Sequence, residues 1–283
     1  MKYAVLPVLV LLASCGRPGP DFSTLARESA HRRSAEAMQV LDLVGQRIEE
    51  FFSLRQERVE AFSAELFSFR GKWRALFWSR EDFERHVRRR FEATMFRPED
   101  FDREVVAAVR EDLSFAIDAS EAGLASDLSR WVRSSRADAP AIDLRPELSK
   151  LVASRVLEDL GLNLVSIVGS EAAAAAGTAA LARAGLLGAA AAGGAGTSWA
   201  TLGVSIVVGV AVGLVIDATV GEVLEDEAKE AVRNELARLR LRMMESEDGL
   251  WHAARRVLES HGRAMERSAV RIVEEARHGA RGI

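Results

Sequence analysis

Residues 172–216 read AAAAAGTAALARAGLLGAAAAGGAGTSWATLGVSIVVGVAVGLVI, and this stretch decides the fold that we expect of the chain. It contains a single charged residue, Arg183, and its centre, residues 193–198, has the glycine-rich composition of a turn. Two arms of helical length flank that turn, so we predict an antiparallel helical hairpin. Small residues recur at every fourth position, and on a helix face they let two backbones approach closely. The predicted packing positions are Ala180, Ala184, Gly188 and Ala192 in the first arm and Ser205, Gly209 and Gly213 in the second.

The hairpin has two interpretations at this point. Its second arm, residues 199–216, comes close to the roughly 20 apolar residues that a bilayer crossing needs. Arg183 makes the alanine-rich first arm costly to insert. Acidic residues flank residues 172–216 on both sides, and cytoplasmic flanks are normally rich in Lys and Arg, so the flanks fit an extracytoplasmic location. The segment is therefore either a second membrane contact or the buried centre of a helical bundle, which an all-round apolar helix can also form.

The rest of the chain predicts long amphipathic helices, which gives an all-α fold: a bundle around the Ala/Gly-rich hairpin. Apolar residues recur at helical spacing from residue 22 to residue 69, and Gly71 breaks or kinks that run. Ser79 with Asp82 has the spacing of a capping box, and Pro98 suits the first turn of a further helix. A last charged helix follows a break at residues 246–249, and its pattern also allows self-association as a coiled coil in a homo-oligomer.

Composition divides the chain into segments. Ten of the twelve Phe lie between Phe51 and Phe101, joined by Trp73 and Trp78, so we expect an aromatic packing core in the first half. A ligand pocket is the alternative interpretation of these rings. The predicted segments are a signal peptide (1–14), a tether (15–20), an aromatic-rich helical unit (21–133), a linker (134–145) and a second helical unit (146–283) that contains the hairpin.

The amino-terminal residues indicate export. Lys2 and a short apolar run precede Leu12-Ala13-Ser14-Cys15, which is the layout of a secretory signal and is too short for a membrane span. Cys15 is the only cysteine in the chain, so no disulfide can form within one chain.

With Cys15 directly after these small residues, the string resembles the lipobox of bacterial lipoproteins. The resemblance implies cleavage before Cys15, with Leu12, Ala13 and Ser14 as the recognition residues, and acylation of the Cys15 thiol and of the new amino terminus. Several acyl chains give stable anchoring to membrane lipid. Gly16 stands where a retention signal would place Asp, so the resemblance implies an outer-membrane location facing the periplasm.

The architecture also resembles the pore-forming domains of colicins, in which amphipathic helices surround an apolar hairpin. This resemblance concerns architecture alone, and it implies a mechanism in which a stored hairpin is released into a target membrane.

Signatures of catalysis are absent from the sequence. It has no Gly-x-Ser-x-Gly elbow, phosphate-binding loop or His-Glu-x-x-His string, and we predict no cofactor and no metal. Two Glu-x-x-His strings, ending at His31 and His278, have the spacing used in helical di-metal sites. We expect them to be surface charge, and His86, His252 and His261 to be solvated.

Charge excludes one class of partner. The chain has 38 basic and 42 acidic residues, a net charge of −4, which does not suit nucleic acid. Residues 88–90 are three consecutive arginines, and either anionic lipid or their acidic neighbours would balance them.

These features together predict a non-enzymatic, lipid-anchored envelope protein that is structural or interacts with membranes. A pore-forming factor that uses the hairpin is the first alternative, and a helical metal protein or enzyme is the second.

Overall fold

The computed structural model describes residues 21–135, 144–159, 199–220, 225–247 and 249–279. All regular elements in these ranges are helical, which confirms the predicted all-α class. They are α1 (Phe22–Met38), α2 (Val40–Gln56), α3 (Val59–Leu66), α4 (Phe69–Phe77), α5 (Arg80–Thr94), α6 (Pro98–Phe101), a π-helical turn (Asp102–Val106), α7 (Ala107–Ser135), α8 (Arg145–Asp159), α9 (Trp199–Val220), α10 (Glu225–Glu245) and α11 (Leu250–Gly279).

Several helix ends lie where the sequence predicts them. The Ser79 hydroxyl caps α5 by accepting a hydrogen bond of 3.2 Å from the backbone N–H of Asp82. Pro98 is the first residue of α6, where its missing N–H costs nothing. The break predicted at residues 246–249 separates α10 from α11. Local capping chemistry therefore sets these boundaries.

The break predicted at Gly71 lies three residues earlier. α3 ends at Leu66, and Ser68 caps α4 by accepting a hydrogen bond from the Gly71 N–H. Gly71 lies inside α4, and a Cβ atom there would be 1.9 Å from the Leu66 carbonyl oxygen. The glycine is therefore required because the two helices meet in a tight turn, which any side chain would obstruct.

The helices form two compact units, each assembled from stretches that are distant in sequence. The first unit contains α1, α7 from Arg110, α8, and α11 from Ala254. The second contains the helices between Asp42 and Val109, together with α9, α10 and the start of α11. This grouping differs from the division predicted at residues 134–145, because composition along the chain does not record which distant helices pack together.

The first unit has an aliphatic core. Small side chains of α1 and α11 pack with Leu and Val of α7 and α8, and Trp131 lies against them partly buried. The buried set comprises Ala26, Ala30, Leu124, Ala125, Leu128, Leu144, Leu148, Val152, Ala153, Ala264, Met265 and Ala269. Close approach explains the small residues: a Cβ on Gly262 of α11 would lie 2.2 Å from the Ser34 hydroxyl of α1.

The second unit has the predicted aromatic core, which confirms packing for most of the Phe residues. The rings of Phe51, Phe52, Phe96 and Phe101 form edge-to-face and tilted contacts with centroids 5.1–6.4 Å apart. Phe62 contributes a further edge-to-face pair with Phe91 at 5.6 Å. Buried aromatic pairs of this geometry stabilise a core beyond the area that they bury.

The second arm of the predicted hairpin is α9, and it is packed. It contacts α4, α5, α6 and α10, and its buried face consists of Val207, Val208, Ala211, Val212 and Val215. Within the ranges that the structure describes, no helix is both long enough and apolar enough to cross a membrane. Burial of that face agrees with the bundle interpretation of this arm. The first arm lies outside the described residues.

Candidate interaction surface

The segment that contains α4 has an unusual composition. Residues 67–80, FSFRGKWRALFWSR, include five aromatic and four basic side chains but no acidic one. The nearest acidic residues along the chain are Glu65 and Glu81. The segment thus combines positive charge with large apolar side chains.

The large apolar side chains of α4 point away from the protein. Phe69 is 80% exposed, Trp73 53%, Leu76 58% and Phe77 66%. Their rings contact one another, with centroids 6.1 Å apart for Phe69 and Trp73 and 4.3 Å apart for Trp73 and Phe77. We call these four residues the outer face of α4. The prediction that the aromatic core includes these rings and Trp78 is wrong for Phe69, Trp73, Phe77 and Trp78.

Helical geometry explains why the large apolar side chains of α4 are exposed. At about 100° per residue, positions 69, 73, 76 and 77 fall on one side of a helix. The opposite side carries Gly71, which is buried, and Ala75, which is half-buried. Because α4 contacts α3, α5 and α9, its small side is the one that faces the protein. A short helix with one small and one bulky side packs most closely through the small one.

Basic side chains border the outer face. The same 100° spacing puts Arg70 and Arg74 at one edge of the outer face and Lys72 at the other. In the described ranges, neither Arg70 nor Lys72 forms an ion pair, so their charges are available.

The junction between α4 and α5 is held by Arg74, Trp78 and His86. The Arg74 guanidinium donates a hydrogen bond of 3.0 Å to Nε2 of His86 and lies over the Trp78 ring. Burial lowers the pKa of His86, and nearby arginine charges, Arg74 first, lower it further. His86 is therefore a neutral acceptor at this junction rather than the solvated residue that we expected.

The arginine run at residues 88–90 differs from the basic residues of α4, because two of its arginines pair with carboxylates. Arg88 lies 3.8 Å from a Glu84 carboxylate oxygen, and Arg90 pairs with Glu65. These contacts match the interpretation in which acidic neighbours balance the run. α4 has no such carboxylates, so the two basic clusters are not equivalent.

The first unit contains a buried carboxylate that the sequence analysis missed. Asp127 on α7 accepts hydrogen bonds from Ser29 at 2.7 Å, Arg32 at 3.0 Å and Arg33 at 3.0 Å. Burial raises the pKa of Asp127, but hydrogen bonds from Ser29 and Arg33 and the Arg33 charge outweigh it and leave the pKa below its ordinary value. The cluster joins α1 to α7, and we assign it to packing specificity.

A second buried polar cluster contains His261, which we expected to be solvated. His261 is 3% exposed, and its Nε2 lies 3.0 Å from Oε1 of Glu121, which is 1% exposed. Ser149 donates a hydrogen bond to the other oxygen of that carboxylate. In a catalytic triad, the serine is hydrogen-bonded to the imidazole, which activates it as a nucleophile. Here Ser149 is hydrogen-bonded to the carboxylate instead, so the imidazole does not activate it.

The predicted lipidation site and most of the predicted hairpin contacts lie outside the described residues. These are Leu12, Ala13, Ser14, Cys15, Ala180, Ala184, Gly188 and Ala192. Ser205, Gly209 and Gly213 belong to α9. A Cβ atom on Gly209 or Gly213 would meet no atom of the described residues within 4 Å, so the pairing of the two arms stays a prediction.

The two Glu-x-x-His strings lie on α1 and α11. Among the residues that the structure describes, no group of three or more His, Cys, Asp or Glu side chains is placed to hold a metal ion.

The outer face of α4 is a candidate interaction surface that the sequence pattern did not reveal. The available signal was a run of fifteen positions, residues 66–80, without an acidic side chain, combined with a serine cap at Ser68 that starts a new helix there. Apolar spacing alone predicts which side chains share a face, but not whether that face is buried.

Comparison of the chain with protein-family models, with curated proteins and with solved structures found no match.

Proposed function

We propose that this chain is a non-enzymatic, lipid-anchored protein of the bacterial cell envelope, held at the periplasmic side of the outer membrane. The observation that carries the proposal is the string Leu12-Ala13-Ser14-Cys15 after a short apolar run. A thiol at that position would be acylated, and several acyl chains bury enough methylene groups, at about 0.8 kcal/mol each, for stable anchoring.

The anchored body is the all-α protein described above. Its apolar helix α9 supports a structural role, because that helix packs against α4, α5, α6 and α10. The predicted glycine-zipper pairing with residues 172–192 would bury the remaining face of α9. The hairpin then serves as a core element of the body.

Metabolic labelling with palmitate tests the anchor. Wild-type protein should incorporate the label and resist carbonate extraction from membranes, whereas Cys15→Ala should not be labelled. Ser23→Ala, a change outside the lipobox, is the control and should behave as wild type. Unlabelled wild-type protein would contradict the proposal.

The hairpin pairing has a separate test. Gly209→Leu with Gly213→Leu should reduce the free energy of unfolding if the first arm packs on these positions, whereas Val210→Leu on the same helix should have a smaller effect. Release of a trapped dye from vesicles by the wild-type protein would instead support the pore-forming alternative.

A further inference from the structure

We propose that the outer face of α4 binds the surface of an anionic bilayer, as an interfacial helix that lies in the plane of the headgroups. This inference rests on the proposed function in one respect, namely that the lipid anchor brings the body to a membrane. The partner is a lipid surface and not a protein, for the reasons that follow.

The first reason is the chemistry of the exposed side chains. Four neighbouring large apolar residues, three of them aromatic, are more than half exposed. Contiguous exposed apolar patches are uncommon on soluble proteins and mark binding surfaces. Trp and Phe beside basic residues are typical of helices that insert their apolar side into the boundary between headgroups and acyl chains.

The second reason is the distribution of charge. Arg70 and Arg74 border one edge of the outer face, and Lys72 borders the other. A helix that lies flat on a bilayer places such edges at the level of the phosphates, where each basic side chain is attracted by anionic lipid.

Of the carboxylates closest to α4 along the chain, Glu81 is exposed and pairs with none of the described residues, whereas two others are already engaged. Glu65 is paired with Arg90, and Asp82 is engaged by the Ser79 hydroxyl and by Arg85. The face therefore offers an apolar strip with a positive border, which complements an anionic bilayer in both respects.

The third reason is that α4 is already folded. A nine-residue helix is not stable alone in water, because nucleation is unfavourable. Here the Ser68 cap, the tight turn at Gly71 and contacts with α3, α5 and α9 hold the helix with its bulky side outward. Binding to lipid thus requires no ordering of the helix itself, which is the benefit of a preorganised surface.

The anchor explains why so short a helix suffices. A tethered module meets its binding surface at a high effective concentration, so contacts that would be too weak alone become sufficient. The acylated Cys15 would hold the body near the bilayer, and the outer face of α4 would then fix its orientation.

A nitroxide depth measurement on the full acylated chain tests the proposal. Leu76→Cys puts a thiol on the outer face without removing an aromatic ring. Leu54→Cys is the matched control, because Leu54 lies in the same unit and is 53% exposed, compared with 58% for Leu76. Its exposed neighbours along the chain, Glu50 and Glu57, are acidic and not basic. Each protein is labelled and reconstituted into phosphatidylglycerol–phosphatidylcholine vesicles and into phosphatidylcholine vesicles.

On vesicles with phosphatidylglycerol, we expect the label at residue 76 to be shielded from a water-soluble nickel chelate and accessible to oxygen. The label at residue 54 should stay accessible to the chelate. The shielding at residue 76 should decrease on phosphatidylcholine alone. Equal accessibility of the two sites would overturn the proposal. So would equal shielding on both lipids with spin–spin broadening between labels, which would identify a second copy of the chain as the occupant.

The number of labels per chain separates this inference from the proposed function. One label shows that Cys15 is blocked, and two show that its thiol is free and that the lipid anchor is wrong. In the second case, the same depth measurement on Leu76→Cys combined with Cys15→Ala still decides whether α4 binds the bilayer.

Discussion

The second unit uses aromatic side chains in two opposite ways. One group, Phe51, Phe52, Phe96 and Phe101, forms a buried cluster. The aromatic rings of the outer face of α4 follow Phe52 closely in sequence but are exposed to solvent. Both groups follow helical spacing, so their periodicity does not distinguish them.

What distinguishes them is the opposite side of each helix. α4 carries Gly71 and Ala75 there, and the glycine permits contact with the Leu66 carbonyl that a Cβ atom would prevent. On α5, by contrast, Phe83, Val87 and Phe91 are buried and the opposite side is charged. α4 therefore packs through its small side, although its other side is more apolar, whereas α5 packs through its large apolar side.

The largest expected difference between the two regions is in stability. Phe91→Ala should lower the free energy of unfolding by about 3–5 kcal/mol, because it leaves a cavity beside Phe62. Phe69→Ala should change it by less than about 0.5 kcal/mol, because the ring is exposed. Urea unfolding of the two variants and wild type in the same non-ionic detergent, followed by circular dichroism, measures both changes in free energy. Similar losses for the two variants would contradict the distinction.

A smaller effect is expected at the turn that orients α4. Gly71→Ala should reduce stability by about 1–3 kcal/mol, since the added methyl group meets backbone atoms that cannot move aside freely. Gly45→Ala is the control, because its methyl group would meet only the flexible end of Met244, at 3.3 Å. That change should stay within about 1 kcal/mol of wild type. An unaffected Gly71→Ala protein would show that the tight turn does not set the orientation of α4.

The smallest effect concerns pH at the junction of α4 and α5. The pKa of His86 is lowered in the folded protein, so the unfolded chain binds more protons as pH falls below about 6.5. The contribution of neutral His86 is therefore complete above that pH and decreases as pH falls towards the native pKa. The free energy of unfolding of wild type, compared with His86→Gln, should decline from pH 7 to pH 5. A constant difference would contradict the lowered pKa.

Much of the fold could be predicted from the sequence, because its signals are local. The Ser79 cap, Pro98 and the break before Leu250 each determine a helix end through their own chemistry. The burial of His261 and of Asp127 could not be predicted, since their partners come from helices distant in sequence. The orientation of α4 depends on the close approach of Gly71 to the Leu66 carbonyl and on contacts with α9, which is distant in sequence, and periodicity encodes neither.

In the proposed binding mode, basic residues at the edges of the outer face hold α4 on an anionic bilayer. The most direct measurement compares Arg70→Gln/Lys72→Gln, which leaves the Arg74 contact with His86 intact, with Arg255→Gln/Arg256→Gln, which removes the same charge from exposed arginines of α11. Each set is combined with the nitroxide at residue 76 on phosphatidylglycerol-containing vesicles. At about 1 kcal/mol per basic residue, the first set should shift the docking equilibrium roughly 30-fold towards the undocked state. The second set should leave the label shielded, and equal effects of the two sets would contradict the claim.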